Sequence, residues 1–179
     1  IAKRLGQIAC VARLVPPKGI QHLIVACRLL VERGHDVRCV IVGDGHLRSA
    51  LVALAAGLGD RVEFVGVADQ ARVRAVLAAS EVFALPCTVR PNGDRDVLPN
   101  SVKEAMAMEL PVVTSDISGI DELVHDGVDG VLVPPDRPGV LADALARLFA
   151  DPALRTRLGR AARATIVRDF ETRTEAAKL

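Results

Sequence analysis

Continuous apolar runs rich in β-branched residues alternate along this chain with stretches whose apolar positions recur every three or four residues. Strands buried on both faces read as the first pattern, and amphipathic helices, with about 3.6 residues per turn, as the second. The spacing predicts strands over 7–12, 37–42, 61–65, 82–85, 111–114 and 130–133. It predicts a helix over 18–33, where Ile20, Leu23, Ile24, Cys27, Leu30 and Val31 share one face and Gly34 supplies the stop. Further helices are expected over 46–58, 70–79, 101–108, 120–124, 138–149 and 152–168. This alternation gives an α/β fold, a Rossmann-like doubly wound parallel sheet of about six strands with helices on both faces. Such sheets bind ligands at the carboxyl ends of their strands, so the loops at 13–19, 43–46, 66–69, 86–101 and 115–120 are expected to converge.

Composition narrows the function. The 179 residues suffice to bury a core without disulfides, and the net charge of +1, from 23 basic and 22 acidic residues, provides no field to attract a polyanion. With aromatics at 2% and neither Trp nor Tyr, the chain lacks the stacking faces of a single-strand nucleic-acid binder, so no nucleic-acid partner is expected. Cys10, Cys27, Cys39 and Cys87 show no paired zinc spacing, which argues for no metal site; Cys10, Cys27 and Cys39 fall in apolar runs and read as buried, and reduced thiols suit the cytoplasm. No run is long enough to span a bilayer, and there is no signal-peptide pattern. The chain opens on Ile1 rather than Met, in keeping with a fragment.

The residues with the most chemistry lie in RPNGDRDVLPNSVKE, 90–104. Pro99 disfavours helix in the residue before it, and Asn100 or Ser101 can cap a helix whose free N–H groups point back at the loop, a setting for an anion. Asp96 on that loop and Glu104 one turn into the helix can both border the anion and reach hydroxyl groups of the same ligand. Glu104 also reads as a capping-box acid for Ser101. Arg13 and Lys18 bracket Pro16 and Pro17 in the first strand-to-helix loop, as a pair for two phosphates or as solvated surface cations. Gly43-Asp44-Gly45 lacks the full dinucleotide fingerprint and reads as a tight turn, with His46 exposed beside it. Gly66 and Val67 follow a strand where a backbone can approach a flat base, or simply turn. Ser118-Gly119-Ile120 precedes Asp121 and Glu122 at another helix start facing the cleft.

Asp96 and Glu104, eight positions apart, resemble the E-x7-E signature of retaining nucleotide-sugar glycosyltransferases of family 4, enzymes of the two-domain GT-B architecture; Asp replaces the first Glu. The segments CVARLVPPKG (10–19), VIVGDGHLR (40–48), VEFVGV (62–67) and VFALPC (82–87) are similar to that family's in the same order. The resemblance covers the whole chain as the C-terminal, donor-binding domain, 1–179, of such an enzyme, without its N-terminal acceptor domain. It implies transfer of a sugar from a UDP- or GDP-sugar to a saccharide or lipid-linked acceptor hydroxyl, without metal or other cofactor. Arg13 and Lys18 would stabilise the leaving diphosphate, and Asp96 would lie near the sugar. Glu104 would bind ribose hydroxyls, the amides of Asn100, Ser101 and Val102 the phosphate, and the main chain of Gly66 and Val67 the base. The isolated domain is expected to bind donor without turnover, and the missing domain is the partner implied, including for contact with the inner membrane face. The final segment, 161–179, is longer than the sheet requires; the last helix in this family crosses back to that domain, and an exposed apolar side there would face it. A sugar-nucleotide epimerase-like domain and a non-catalytic nucleotide-binding module are the alternatives.

Overall fold

The computed structural model describes residues 2–89 and 99–176, with side chains described as far as residue 169. Its strands are β1 (Gln7–Val11), β2 (Arg38–Val42), β3 (Val62–Gly66), β4 (Val82–Leu85), β5 (Val112–Ser115) and β6 (Val131–Val133). All pairs are parallel, in the order β3-β2-β1-β4-β5-β6. The apolar runs form strands because both sheet faces are covered: every residue of β4 and β5 is buried. The helices are α1 (Ile20–Glu32), α2 (Arg48–Ala55), α3 (Gln70–Ala79), α4 (Asn100–Ala107), α5 (Pro138–Ala150) and α6 (Pro152–Ala176). α1 lies against α2 and α5, and α4 against α6.

Local chemistry explains the boundaries. α1 buries Ile20, Leu23, Ile24, Cys27 and Leu30 from the expected face. It ends in a Schellman motif, with Gly34 N donating to Val31 O at 2.9 Å and His35 N to Leu30 O at 3.0 Å. α3 begins on Asp69, whose carboxylate accepts from Arg72 N at 2.7 Å. Three expectations need correction. Residues 18–19 are not helical continuations of α1: Pro16–Lys18 is a separate 3-10 turn, and Gly19 lies left-handed between the two. Residues 120–124 form no helix but a single turn, closed by Val124 N on Ile120 O at 2.9 Å, with Asp121 accepting from Gly119 N. α6 runs to Ala176, beyond the expected 168, and up to residue 165 its inner face is occupied. Leu158 and Ala162 are fully buried, and Gly159 fits so closely on Glu109 that a Cβ there would stand 2.1 Å from its carbonyl oxygen. Among its described outward residues, Val167 is the exposed large hydrophobic one.

The strand order reverses between β1 and β4, which are direct neighbours through Ile8↔Val82 and Ala9↔Phe83. Chains leaving adjacent strands in opposite directions open a crevice at their carboxyl ends. Loop 12–19 and the described residues 86–89 leave from those two ends.

Candidate functional site

A cleft of about 660 Å³ lies at this reversal, lined by residues from four loops and the helices they open. Arg13 and Lys18 come from the loop after β1, and Gly43 and Asp44 from the loop after β2. Val67, Ala68, Gln70 and Val73 come from the end of β3 and the start of α3, and Pro99, Asn100, Ser101 and Glu104 from the first turns of α4.

The loop after β1 is held from two sides. Thr88 donates its N–H to Pro17 O at 2.9 Å and its hydroxyl to Pro16 O at 3.2 Å, tying the loops after β1 and β4 together across the crevice. Gly19, at φ of +62°, sits so tightly there that a Cβ would stand 1.9 Å from Pro86 O. On the other side Leu14 N donates to Asp44 O at 2.9 Å and Leu47 N to Leu14 O at 3.1 Å. A Cβ on Gly43 would meet Ala12 O at 1.9 Å, so the glycines of Gly43-Asp44-Gly45 answer a backbone contact as well as a turn. Asp44 turns its carboxylate to Gly45 N at 2.7 Å. His46, exposed, is not among the cleft residues.

Arg13 is exposed, whereas Lys18 is half-buried, and burial holds its ammonium below the ordinary lysine range, with Cys87 opposing that shift and Arg13 adding to it. A half-buried cation is poorly solvated and gains most from an incoming anion. Opposite stands the start of α4. Its N-cap is Pro99, with no side-chain cap bond, so neither Asn100 nor Ser101 caps the helix and Glu104 is no capping-box partner of an N-cap Ser101. Proline cannot supply a capping side chain, so the N–H groups of Asn100 and Ser101, residues that line the cleft, have no side-chain cap.

The structure thus brings together Arg13, Lys18, Val67, Asn100, Ser101 and Glu104 from the candidate set. Val102 belongs elsewhere: its side chain is fully buried and its N–H donates to Pro99 O at 3.0 Å. Gly66, at φ of +81°, does not itself line the cleft but sets the turn that puts Val67 and Ala68 there. Asp96, with Asp94 and Arg95, lies outside the described residues. Glu122 is exposed and, like the rest of the 115–120 region, is not among the described cleft residues; β5 stands one strand beyond the reversal. Sequence reasoning missed Gln70, Val73 and Thr88. The first two follow from their place in the opening turns of α3, but nothing local marks Thr88, whose partners lie 72 positions away or nearly so. Among the described residues no group of three or more His, Cys, Asp or Glu is placed to hold a metal ion, and no helix is long and apolar enough to cross a membrane.

A model of the family described as glycosyl transferases group 1 matches residues 6–151. The amylovoran biosynthesis glycosyltransferase of Erwinia amylovora is 38% identical over 92% of this chain and 41% of its own length. The alpha-D-kanosaminyltransferase of Streptomyces kanamyceticus is 36% identical over 83% of this chain and 37% of its own. The chain therefore spans about two fifths of the relatives it matches. In fold it is similar to the Anabaena protein HepE, solved with UDP and glucose, at a TM-score of 0.81 and 24% identity over 97% of this chain and 48% of that one.

Proposed function

Since this chain belongs to the group 1 glycosyltransferases, we propose that it is the C-terminal, donor-binding domain, residues 1–179, of a GT-B enzyme that moves a sugar from a UDP- or GDP-sugar to an acceptor hydroxyl with retention of configuration. The observation that carries this is the meeting, at one crevice, of Arg13 and Lys18 with the uncapped start of α4, from parts of the chain some eighty positions apart. Two cations and the two leading amides of α4 suit a diphosphate; a carboxylate beside them suits hydroxyls.

In this reading the bond from the sugar's anomeric carbon to the β-phosphate oxygen breaks as the acceptor oxygen bonds to that carbon on the same face, and the acceptor's hydroxyl proton passes to the departing phosphate oxygen. Negative charge collects on the departing diphosphate, and Arg13, Lys18 and the amides of Asn100 and Ser101 stabilise it without a metal ion. Glu104 accepts hydrogen bonds from the ribose hydroxyls, and Val67, on the turn that Gly66 sets, offers main chain to the base; Asp96, to which the family resemblance gives a role at the sugar, lies outside the described residues. The acceptor, a saccharide or lipid-linked saccharide, and the groups that orient it belong to an N-terminal domain of the full-length protein, through which contact with a membrane face would be made. The chain alone is expected to bind donor and leave it intact.

Calorimetric titration of the chain with UDP, GDP, uridine and guanosine tests this. Lys18→Ala is expected to weaken UDP or GDP binding by about tenfold or more, the worth of one charge-assisted contact, while nucleoside binding stays within about twofold. Equal losses for nucleotide and nucleoside would remove Lys18 from the diphosphate, and no binding of any nucleotide would refute the reading as a whole.

A further inference from the structure

The segment 40–48 ends on Arg48, which the reading above leaves without a role. It opens α2, where the helix dipole disfavours a cation. Its guanidinium reaches instead to the middle of β3: Nη2 donates a long hydrogen bond of 3.4 Å to Phe64 O, and the guanidinium carbon stands 6.0 Å from the centre of the Phe64 ring. Nη1 is buried and has no hydrogen-bond partner among the described residues. The acid of this neighbourhood, Glu63, is engaged with Arg38 and, at 3.9 Å, with Arg72, and no ion pair of Arg48 is found among the described residues. Arg48 is half-buried as a residue, but its Nη1 end is shut off from solvent with no partner, so the field on that side is screened less than a fully exposed charge's.

What lies next to that field is the loop at the base end of the cleft. Nη1 stands 3.9 Å from where a Cβ on Gly66 would be. Gly66 is gripped from the other direction by Gly43, whose N–H donates to Gly66 O at 2.8 Å, and Val67 and Ala68 continue into the cleft. The loop is thus set between a backbone contact and an unneutralised cation.

We infer that Arg48 is a positioning residue that holds loop 66–69 from behind and biases it toward nucleobases presenting a carbonyl oxygen there, uracil or guanine, over the amino group of adenine. The selectivity rests on the nucleotide-sugar reading of the cleft; the hold on the loop does not. A carbonyl oxygen gains from a nearby positive field, and an amino group, itself the positive end of a dipole, loses by it.

The test is calorimetry of UDP, GDP, ADP and pyrophosphate on the chain and on its Arg48→Gln and Arg48→Lys variants, with backbone hydrogen exchange over 66–69. In Arg48→Gln, UDP and GDP are expected to weaken about tenfold and ADP and pyrophosphate by less than about twofold, so the preference for oxo bases collapses. Arg48→Lys, which keeps the charge, should retain that preference within about threefold. Exchange at 66–69 should speed up in Arg48→Gln while the rest of the sheet is unchanged. Equal losses for all four ligands, an unchanged preference, or unaltered exchange at 66–69 would overturn the inference while leaving the donor site standing. A wild-type chain that binds none of the four would instead refute the nucleotide reading, and the selectivity with it.

Discussion

Gly19 and Gly34 both hold left-handed backbone, at φ of +62° and +84°, yet one is crowded and the other open, so the pair separates strain from packing. A Cβ on Gly34 would have nothing within 4 Å, and Gly34→Ala is expected to cost only the left-handed conformation, about 1 kcal/mol. On Gly19 the same Cβ would stand 1.9 Å from Pro86 O and 2.9 Å from its carbonyl carbon, backbone atoms that cannot swing aside like a side chain. The loops after β1 and β4 must separate, which breaks the bonds from Thr88 to Pro17 O at 2.9 Å and to Pro16 O at 3.2 Å. At about 1 kcal/mol for each bond and about 1 for the conformation, Gly19→Ala should cost about 3 kcal/mol. For a domain of this size that is a fall in Tm of about 9 °C, against about 3 °C for Gly34→Ala. Urea titrations and thermal melts measure both, and UDP titration adds a functional reading: Gly19→Ala displaces Lys18 and weakens binding, whereas Gly34→Ala leaves it alone. Equal destabilisation by the two substitutions, or Gly19→Ala with unimpaired UDP binding, would refute the coupling of the two loops.

Glu104→Gln should weaken UDP about tenfold, as expected for a charge-assisted bond, and leave 2′,3′-dideoxy-UDP and stability unchanged; a loss of stability with no loss of affinity would return Glu104 to a structural role. Because burial lowers the pKa of Lys18, pyrophosphate affinity should fall as pH rises at a lower pH than for an ordinary lysine, and Lys18→Arg should abolish that fall, which a pH series of titrations would follow. The sign for stability is opposite: between the lowered folded value and the ordinary unfolded one the unfolded chain holds the extra proton, so the unliganded fold gains stability as pH rises through that window. Burial pushes the Cys87 thiol up to about 11 and raises Cys10 as well, while Cys39 is raised first by its hydrogen bond with Cys27 and then by burial; all four cysteines are buried. A disulfide reagent at neutral pH should therefore modify none of them before the protein unfolds, and prompt labelling of native protein would contradict that packing.

The elements were legible because each reports its own burial locally. The run Val82–Leu85 had to be a doubly covered strand, and the face shared by Ile20, Leu23, Cys27 and Leu30 had to be a helix with one side inward. The candidate residues were legible as chemistry too: a helix start after a proline, a carboxylate one turn in, and two cations around a stiff loop. The expected Ser101 cap failed because the N-cap is Pro99, two residues earlier, a difference that propensity does not resolve. The short helix at 120–124 failed because its apolar residues pack inward in a single turn instead.

Local pattern thus determined the strands, most of the helices and the kind of groups available to a ligand. Only the tertiary structure decided which of those groups share a crevice, because that depends on the order of the strands and on contacts such as Thr88 with Pro16 or Arg48 with Phe64, between residues that do not neighbour one another along the chain. A residue's periodicity records that it is buried; its partner is set by which elements close together, and no short window of sequence carries that information.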